Sequence, residues 1–202
     1  LDRSQAFFAP AAPGVWSFVS TRKFFGVPDG AFLTGPQQLA PPTQANARYA
    51  MDHLVLAAWG HQQEGLAAYR ANNALMSTAY QGMSTVTRRI LEHADTTMNA
   101  GRRRENFMAL HALLGDVNTY PVSAAPASAP LHYPFLPSNP VALERFHGAG
   151  IFAPRLWPEV LQRTGTPDRE RRLAGGLIPL PIDQRYGAEH MEQLAWRTRK
   201  LV

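Results

Sequence analysis

The chain has 202 residues, of which 45% are hydrophobic and 17% charged, a composition typical of one well-cored domain or of a large and a small domain together. No apolar run approaches the roughly 18 to 20 residues that a membrane span requires. Without cysteine, the sequence offers no disulfide, thiolate metal site or cysteine nucleophile. It also shows no secretory hydrophobic segment, so a reducing, cytoplasmic location is expected.

The net charge of +5 is weak support for a nucleic-acid partner. Basic residues cluster at residues 102–104 and 169–172, where they are typical of solvated helix faces. Nucleic-acid-binding modules normally combine a basic stripe with a recognisable motif, and the sequence shows no helix-turn-helix, zinc-finger or aromatic-basic RNA signature. The hypothesis of a basic, nucleic-acid-associated helical protein therefore ranks well behind the alternatives. No membrane partner is expected either.

Residues 1–45 are predicted to form loops and short strands. Apolar runs at residues 6–9, 15–19 and 31–33 are separated by proline and glycine, which end regular elements. A proline-rich linker, residues 37–44, is expected to close this part of the chain.

Residues 46–118 are predicted to be mainly helical, because their apolar residues recur every three or four positions. The three helix-compatible sets are Tyr49, Leu56, Leu66 and Tyr69; Val86, Ile90, Ala94 and Met98; and Phe107, Leu110, Leu113 and Leu114. Gly65, Gly82 and Gly101 are predicted breaks between helices. Ser84 or Thr85 is predicted to cap the second helix, and Gly115 to end the third.

The remainder of the chain alternates extended and helical patterns. The proline-rich stretch at residues 120–140 is not helical, although it contains an apolar strand candidate. The predicted elements are strands at residues 131–136 and 151–152, an extended segment at residues 177–181, and helices at residues 140–148 and 188–200. Strands alternating with helices predict an α/β or α+β protein.

Lys23 is the main candidate for chemistry. It lies in an apolar, hydroxyl-rich stretch that ends in a Pro-Asp-Gly turn at residues 28–30. A lysine amine has an ordinary pKa of about 10.4, so forming an imine with a carbonyl cofactor requires surroundings that favour loss of its proton. Phe24 and Phe25, with an aromatic pair before the lysine, are expected to supply such desolvation. The alternative is an ordinary solvated surface lysine.

A run of short motifs resembles the DegT/StrS-type aminotransferases. These motifs are the Asp-Arg-Ser-Gln-Ala at residues 2–6, the Ser-Phe at residues 17–18, the Arg-Lys at residues 22–23 and the glycine-bounded turn at residues 26–30, followed by stretches at residues 83–84, 102–107, 130–135, 150–158 and 180–187. Their order and spacing carry the resemblance over nearly the whole chain. The family comprises pyridoxal-phosphate enzymes of fold type I, best known for aminating keto sugars.

The resemblance implies an α/β fold in two parts. Residues 1–82 resemble the remainder of a large cofactor-binding domain, and residues 83–202 a small C-terminal α/β domain. The chain opens at Leu1 without methionine and resembles the C-terminal half of such an enzyme, so we expect it to begin inside a longer protein. Family members are typically homodimers with the active site at the subunit interface, so a homodimer is expected.

The resemblance also implies roles for individual residues. Asp2 would pair with the pyridine nitrogen of pyridoxal 5′-phosphate, and Gln5 would pack on the face of the ring. Lys23 would form the Schiff base with the cofactor and then move the proton released from the substrate. The implied reaction transfers an amino group from an amino-acid donor to a keto sugar or a similar carbonyl acceptor.

Two departures from the family pattern bear on this assignment. The hydroxyl expected to bind the cofactor phosphate is Ser17 or Ser20; Ser17 lies six residues before Lys23, where the pattern has five. Residues 80–84 lack the asparagine that usually reaches the partner subunit's cofactor. The alternative hypothesis is therefore a relative that binds the cofactor without catalysis and acts through dimerisation or regulation.

Other site chemistries have no motif in the sequence. The seven histidines never stand four residues apart on one helix face, and no His-Glu-x-x-His occurs, so metal catalysis is not expected. Neither a Gly-x-Ser-x-Gly hydrolase elbow nor a phosphate-binding Gly-x-x-x-x-Gly-Lys-Ser/Thr loop is present.

Overall fold

Seven α-helices and two small antiparallel sheets make the described chain a mixed α/β protein. The computed structural model describes residues 1–74, 76 and 80–202. These residues form two compact units, Leu1–Asp95 and Thr96–Val202. Residues 83–95 fall within the first of these units. No described helix is both long enough and apolar enough to cross a membrane.

The first unit begins with a β-hairpin and a segment that joins it. Strands β1 (Ser17–Ser20) and β2 (Ala31–Thr34) pair antiparallel. The chain start runs parallel to β1 through a bridge between Asp2 and Phe18, and the Phe18 carbonyl accepts a hydrogen bond from the Arg3 backbone N–H at 3.0 Å. This pairing places residues 2–5 beside the strand that leads to Lys23.

A tight turn between the strands carries Lys23. The Thr21 carbonyl accepts hydrogen bonds from the backbone N–H groups of Phe24 and Phe25, and the Thr21 hydroxyl contacts the Gly30 carbonyl at 2.7 Å. Phe24 and Phe25 are buried and pack edge-on against phenylalanines of the preceding segment. The turn is therefore held by the aromatic packing of Phe24 and Phe25 and by the hydrogen bonds of Thr21.

Three helices complete the first unit: α1 (Asp52–Ala58), α2 (Gln62–Ala74) and α3 (Thr85–His93). The predicted cap of α3 is confirmed, because the Ser84 hydroxyl accepts a hydrogen bond from the Thr87 N–H at 3.2 Å. The predicted break at Gly65 is wrong. Gly65 lies inside α2, where an added Cβ would stand 3.3 Å from the His53 carbonyl of α1, so glycine permits close packing of the two helices.

The second unit surrounds one hydrophobic core. Its elements are α4 (Thr96–Leu114), β3 (His132–Phe135), α5 (Leu143–Gly148), a 3₁₀ helix (Pro158–Gln162), α6 (Asp168–Gly176), β4 (Ile178–Pro181) and α7 (Ala188–Arg199). Strands β3 and β4 pair antiparallel, while α4 packs against α7 and β3. The most deeply buried core side chains are Leu110, Leu114, Tyr133, Phe135, Phe146, Ile178, Leu180, Ile182 and Met191.

Several predicted boundaries differ from those observed. Residues 151–152 form no strand, because the Ile151 N–H bonds the Phe146 carbonyl and so closes the end of α5. Residues 6–9 form turns instead of a strand. Gly101 lies within α4 and does not break it. A single glycine costs a helix about 1 kcal/mol, which the burial of the Phe107 and Leu110 side chains on the same helix outweighs.

Candidate functional site

An open cleft of about 1410 Å³ lies in the first unit. The wall of the cleft includes residues of the hairpin, the turn at residues 22–23, the segment at residues 35–42 and helix α3. Two of the sequence-predicted site residues, Ser20 and Lys23, line this cleft. Asp2, Gln5 and Ser17 do not occur among its described lining residues.

Lys23 is exposed and hydrogen-bonded. Its Nζ donates to the Ser4 Oγ at 3.0 Å, across 19 residues of sequence. Phe24 and Phe25, which were expected to desolvate the amine, instead bury their rings against Phe7 and Phe8. Aromatic packing therefore fixes the backbone that carries Lys23, while its amine stays in contact with solvent.

Ser4 connects the Lys23 amine to the Asp2 carboxylate. The Ser4 backbone N–H donates to the Asp2 Oδ1 at 2.8 Å. Hydrogen bonds from the Ser4 backbone and hydroxyl hold the pKa of Asp2 below its ordinary value, and the charge of Lys23 lowers it further. The exposed Asp2 is therefore an anion at neutral pH. Sequence reasoning overlooked Ser4, although Asp-x-Ser is a common local turn pattern.

The two candidate phosphate hydroxyls differ in environment. Ser17 is buried, and its Oγ lies 2.8 Å from the Thr34 Oγ1 in a cross-strand hydrogen bond. Successive strand residues point to opposite faces, so Ser20, three positions further along β1, lies on the other face from Ser17 and lines the cleft. Gln5 is half-buried in the turn that follows Asp2.

Asp29, in the Pro-Asp-Gly turn, anchors one wall of the cleft. Its buried carboxylate accepts hydrogen bonds from the Asn46 side chain, the Ser84 N–H and hydroxyl, and the Thr87 hydroxyl. The Thr21 hydroxyl also donates to the Asp29 carbonyl at 3.0 Å. Asp29 thereby joins the Lys23 turn to the start of α3. Sequence reasoning recorded only a turn here, because its donors come from distant residues.

Arg22 supplies a second cation on the cleft wall beside Lys23. Its Nη2 donates to the Asn73 Oδ1 at 2.7 Å, and its guanidinium lies 5.2 Å from the centre of the Tyr69 ring. The His53 ring, buried between α1 and α2, feels this charge: burial lowers the pKa of His53, and the Arg22 guanidinium lowers it further. The arginine was noted in the sequence only as part of the Arg-Lys pair.

A smaller cavity of about 510 Å³ lies in the second unit. Its wall is mainly apolar and includes Leu156, Trp157, Val160 and Leu173. It contains none of the sequence-predicted site residues. Among the described residues, no group of three or more His, Asp or Glu side chains is placed to hold a metal ion.

No protein-family model matches the chain, and no match was found among curated proteins or solved structures. The amine of Lys23, the ionised Asp2, the Ser20 hydroxyl and the Arg22 guanidinium therefore have to be interpreted from their own chemistry.

Proposed function

We propose that the chain is part of a pyridoxal-phosphate-dependent aminotransferase of the fold-type-I class, in which Lys23 holds the cofactor. The main support is the hydrogen-bonded connection from the Lys23 amine through Ser4 to the Asp2 carboxylate, beside a cleft of about 1410 Å³. An amine and a permanent anion in one network are the two groups such a cofactor needs at opposite ends of its ring.

The residues present fit the cofactor's chemistry. Asp2, kept ionised by Ser4, would hold a proton on the pyridine nitrogen. Ser20 would donate a hydrogen bond to the phosphate, since its hydroxyl is on the cleft side of β1 whereas that of Ser17 is engaged by Thr34. When bound, the cofactor supplies an electron sink for breaking the donor's Cα–H bond. Gln5, which is not among the described lining residues of the cleft, is assigned to the ring face by the family resemblance alone.

The residues of the chain would bind and orient the substrate and would move protons. Lys23 Nζ would accept the proton that leaves the donor Cα, which is the role that the family resemblance implies for it. Over the full reaction the acceptor's carbonyl oxygen is exchanged for the donor's amino nitrogen, and the donor leaves as an oxo acid. A keto sugar or a similar carbonyl compound is the proposed acceptor, and a homodimer the proposed assembly.

The chain offers a matched control for this assignment. Lys23 and Lys200 are its two lysines, and the Lys200 Nζ lies 3.5 Å from the centre of the Trp196 ring in the second unit. Titration with pyridoxal phosphate should produce a visible absorption band in the wild type and in Lys200→Ala. Lys23→Ala should show no such band. A band of equal strength in Lys23→Ala would refute the proposal.

A cofactor-binding protein without catalysis is the second candidate, and the exposure of Lys23 favours it. An exposed amine lacks the desolvation that normally activates an imine-forming lysine. A single-turnover experiment separates the two candidates. An aminotransferase loaded with cofactor should convert one equivalent of glutamate to 2-oxoglutarate per chain, whereas a binding protein should keep its visible band and release no 2-oxoglutarate.

A further inference from the structure

The positively charged side chain of Arg22 lies on the cleft wall and is held in place by neutral groups. The guanidinium bonds the Asn73 amide oxygen through Nη2 and the Met76 sulfur through Nη1. In the described part of the chain no carboxylate forms an ion pair with Arg22, and its buried Nε has no hydrogen-bond partner. Only the Nε is buried, whereas the hydrogen bonds of Nη1 and Nη2 lie at the solvent-exposed side, so the outer N–H groups are accessible to an anion in the cleft.

The acidic residues of the cleft are already engaged. The Asp29 carboxylate is occupied by neutral donors from three residues. Glu92 lies 3.9 Å from Arg89, a cation on its own helix. Arg88 adds another cation to the cleft wall. The lining thus leaves a surplus of positive charge next to Lys23.

The guanidinium is also held in a fixed orientation. Tyr69 lies under it at 5.2 Å, and the bond to Asn73 sets its rotation. Arginine has five N–H donors, and two of those of Arg22 are used by Met76 and Asn73. A planar, oriented guanidinium with unused donors is suited to the two oxygens of a carboxylate.

We propose that Arg22, positioned by Asn73 and Tyr69, binds a carboxylate of the amino-acid donor within the Lys23 cleft. This inference rests on the proposed function, because the amino group of a donor would have to reach the cofactor that Lys23 holds. The donor's carboxylate stands one carbon from that amino group. Arg22 and Lys23 are adjacent in sequence and line the same cleft, so we place the carboxylate of the donor at Arg22 and its amino group on the Lys23 side. Arg22 is thereby a substrate-binding residue.

The test uses glutarate, a dicarboxylate that has no amino group, with the full chain and without pyridoxal phosphate. Calorimetry should show glutarate binding to the wild type and at least about tenfold weaker binding to Arg22→Gln, as expected for loss of a charge-assisted hydrogen bond. Arg70→Gln, which alters an exposed arginine of α2, should bind like the wild type. Equal binding by Arg22→Gln would overturn the proposal.

A second experiment, chemical footprinting of the wild-type protein, does not depend on whether a variant folds. Phenylglyoxal modifies arginine, and glutarate should slow its reaction at Arg22 by at least about threefold while leaving Arg70 unchanged in the same sample, as peptide masses would show. Inorganic phosphate forms the second arm. Protection by phosphate but not by glutarate, or protection by neither, contradicts a carboxylate site. Because the cofactor is absent, failure of Lys23 to bind it does not affect this result.

Discussion

Ser4 stands between the two charged groups of the proposed site. It accepts a hydrogen bond from the Lys23 amine through its hydroxyl and donates one to Asp2 through its backbone N–H. The position matters because neither the anion nor the amine is buried. Local hydrogen bonds, and not a low dielectric, are therefore what set the protonation of Asp2.

Replacing Ser4 should change the titration of Asp2 in a defined order. The Ser4 hydroxyl contributes more to the lowered pKa of Asp2 than the charge of Lys23 does. Ser4→Ala should therefore raise this pKa more than Lys23→Ala, with NMR titration of the Asp2 carboxyl carbon as the measurement. Ser123→Ala, in the second unit, is the control and should leave it unchanged. A larger shift in Lys23→Ala would show that direct charge attraction dominates.

His53 should make the first unit sensitive to acid. Its ring is buried, and its Nδ1 has no hydrogen-bond partner in the described region. Burial and the charge of Arg22 lower the pKa of His53 below its unfolded value of 6.5. The unfolded chain thus binds the proton first, so stability is intact above pH 6.5 and falls as the pH drops through the lower folded pKa.

Thermal unfolding between pH 7.5 and pH 5 measures this effect. His53→Phe should lose stability less steeply over that range than the wild type, because the titrating group is gone. His61→Gln alters an exposed histidine and should keep the wild-type slope. Identical slopes in all three proteins would show that His53 does not titrate differently on folding.

At the scale of elements, the Pro-Asp-Gly turn connects the hairpin to α3. Gly30 has φ of +102°, and an added Cβ would stand 2.9 Å from the Thr21 Oγ1 and 3.0 Å from the Thr87 Cγ2. The turn therefore needs glycine for both its backbone conformation and its close packing.

Alanine substitution separates these two requirements. Gly14 also has a positive φ, +70°, but an added Cβ would meet nothing within 4 Å. Gly14→Ala should cost about 1–2 kcal/mol from the left-handed backbone alone, and Gly30→Ala about 1–3 kcal/mol more from overpacking. Urea unfolding gives both values. Equal losses would mean that the turn relaxes without cost.

Arg103 plays a comparable anchoring role in the second unit. This buried residue of α4 donates to the Gln184 Oε1 at 2.9 Å and to the Leu131 carbonyl at 3.1 Å. Burial, opposed by the nearby Asp183 charge, lowers the pKa of Arg103 to about 10. It therefore stays protonated at neutral pH and ties the helix to the segments flanking β3 and β4.

Removing that anchor should destabilise the second unit. Arg103→Met leaves buried acceptors without a donor, and we expect a loss of about 2–4 kcal/mol in the free energy of unfolding. Arg104→Met changes the exposed neighbour on the same helix and should stay within about 0.5 kcal/mol of the wild type. Chemical denaturation of both variants measures this difference in stability. Equal stabilities of the two variants would contradict the anchoring role of Arg103.

The sequence predicted elements well where local signals decide them. The Ser84 cap, the end of α4 before Gly115 and the strand at β3 are confirmed. The helix break predicted at Gly65 was wrong because glycine is required at this position by contact with α1, which is a different element. The break near Ala94, which ends α3 at His93, was missed because the apolar spacing continues through it.

At the scale of the whole molecule, the candidate site depends on pairing between distant segments. The sequence placed Asp2 and Lys23 in one site through a family resemblance, but not through contacts. Ser4 meets Lys23 because the chain start pairs in parallel with β1, and Arg22 meets Asn73 across 51 residues. Strand register and helix packing determine both contacts, and no local sequence pattern predicts either contact.

Borohydride trapping tests the central claim most directly. The wild-type chain, incubated with pyridoxal phosphate and reduced, should carry one cofactor mass on the peptide that contains Lys23. The Lys200 peptide serves as the internal control for nonspecific reaction and should stay unmodified at equimolar cofactor. Label confined to Lys23 is the predicted result. Equal labelling of Lys200, or label at neither lysine, would contradict the assignment of Lys23 as the cofactor-binding amine.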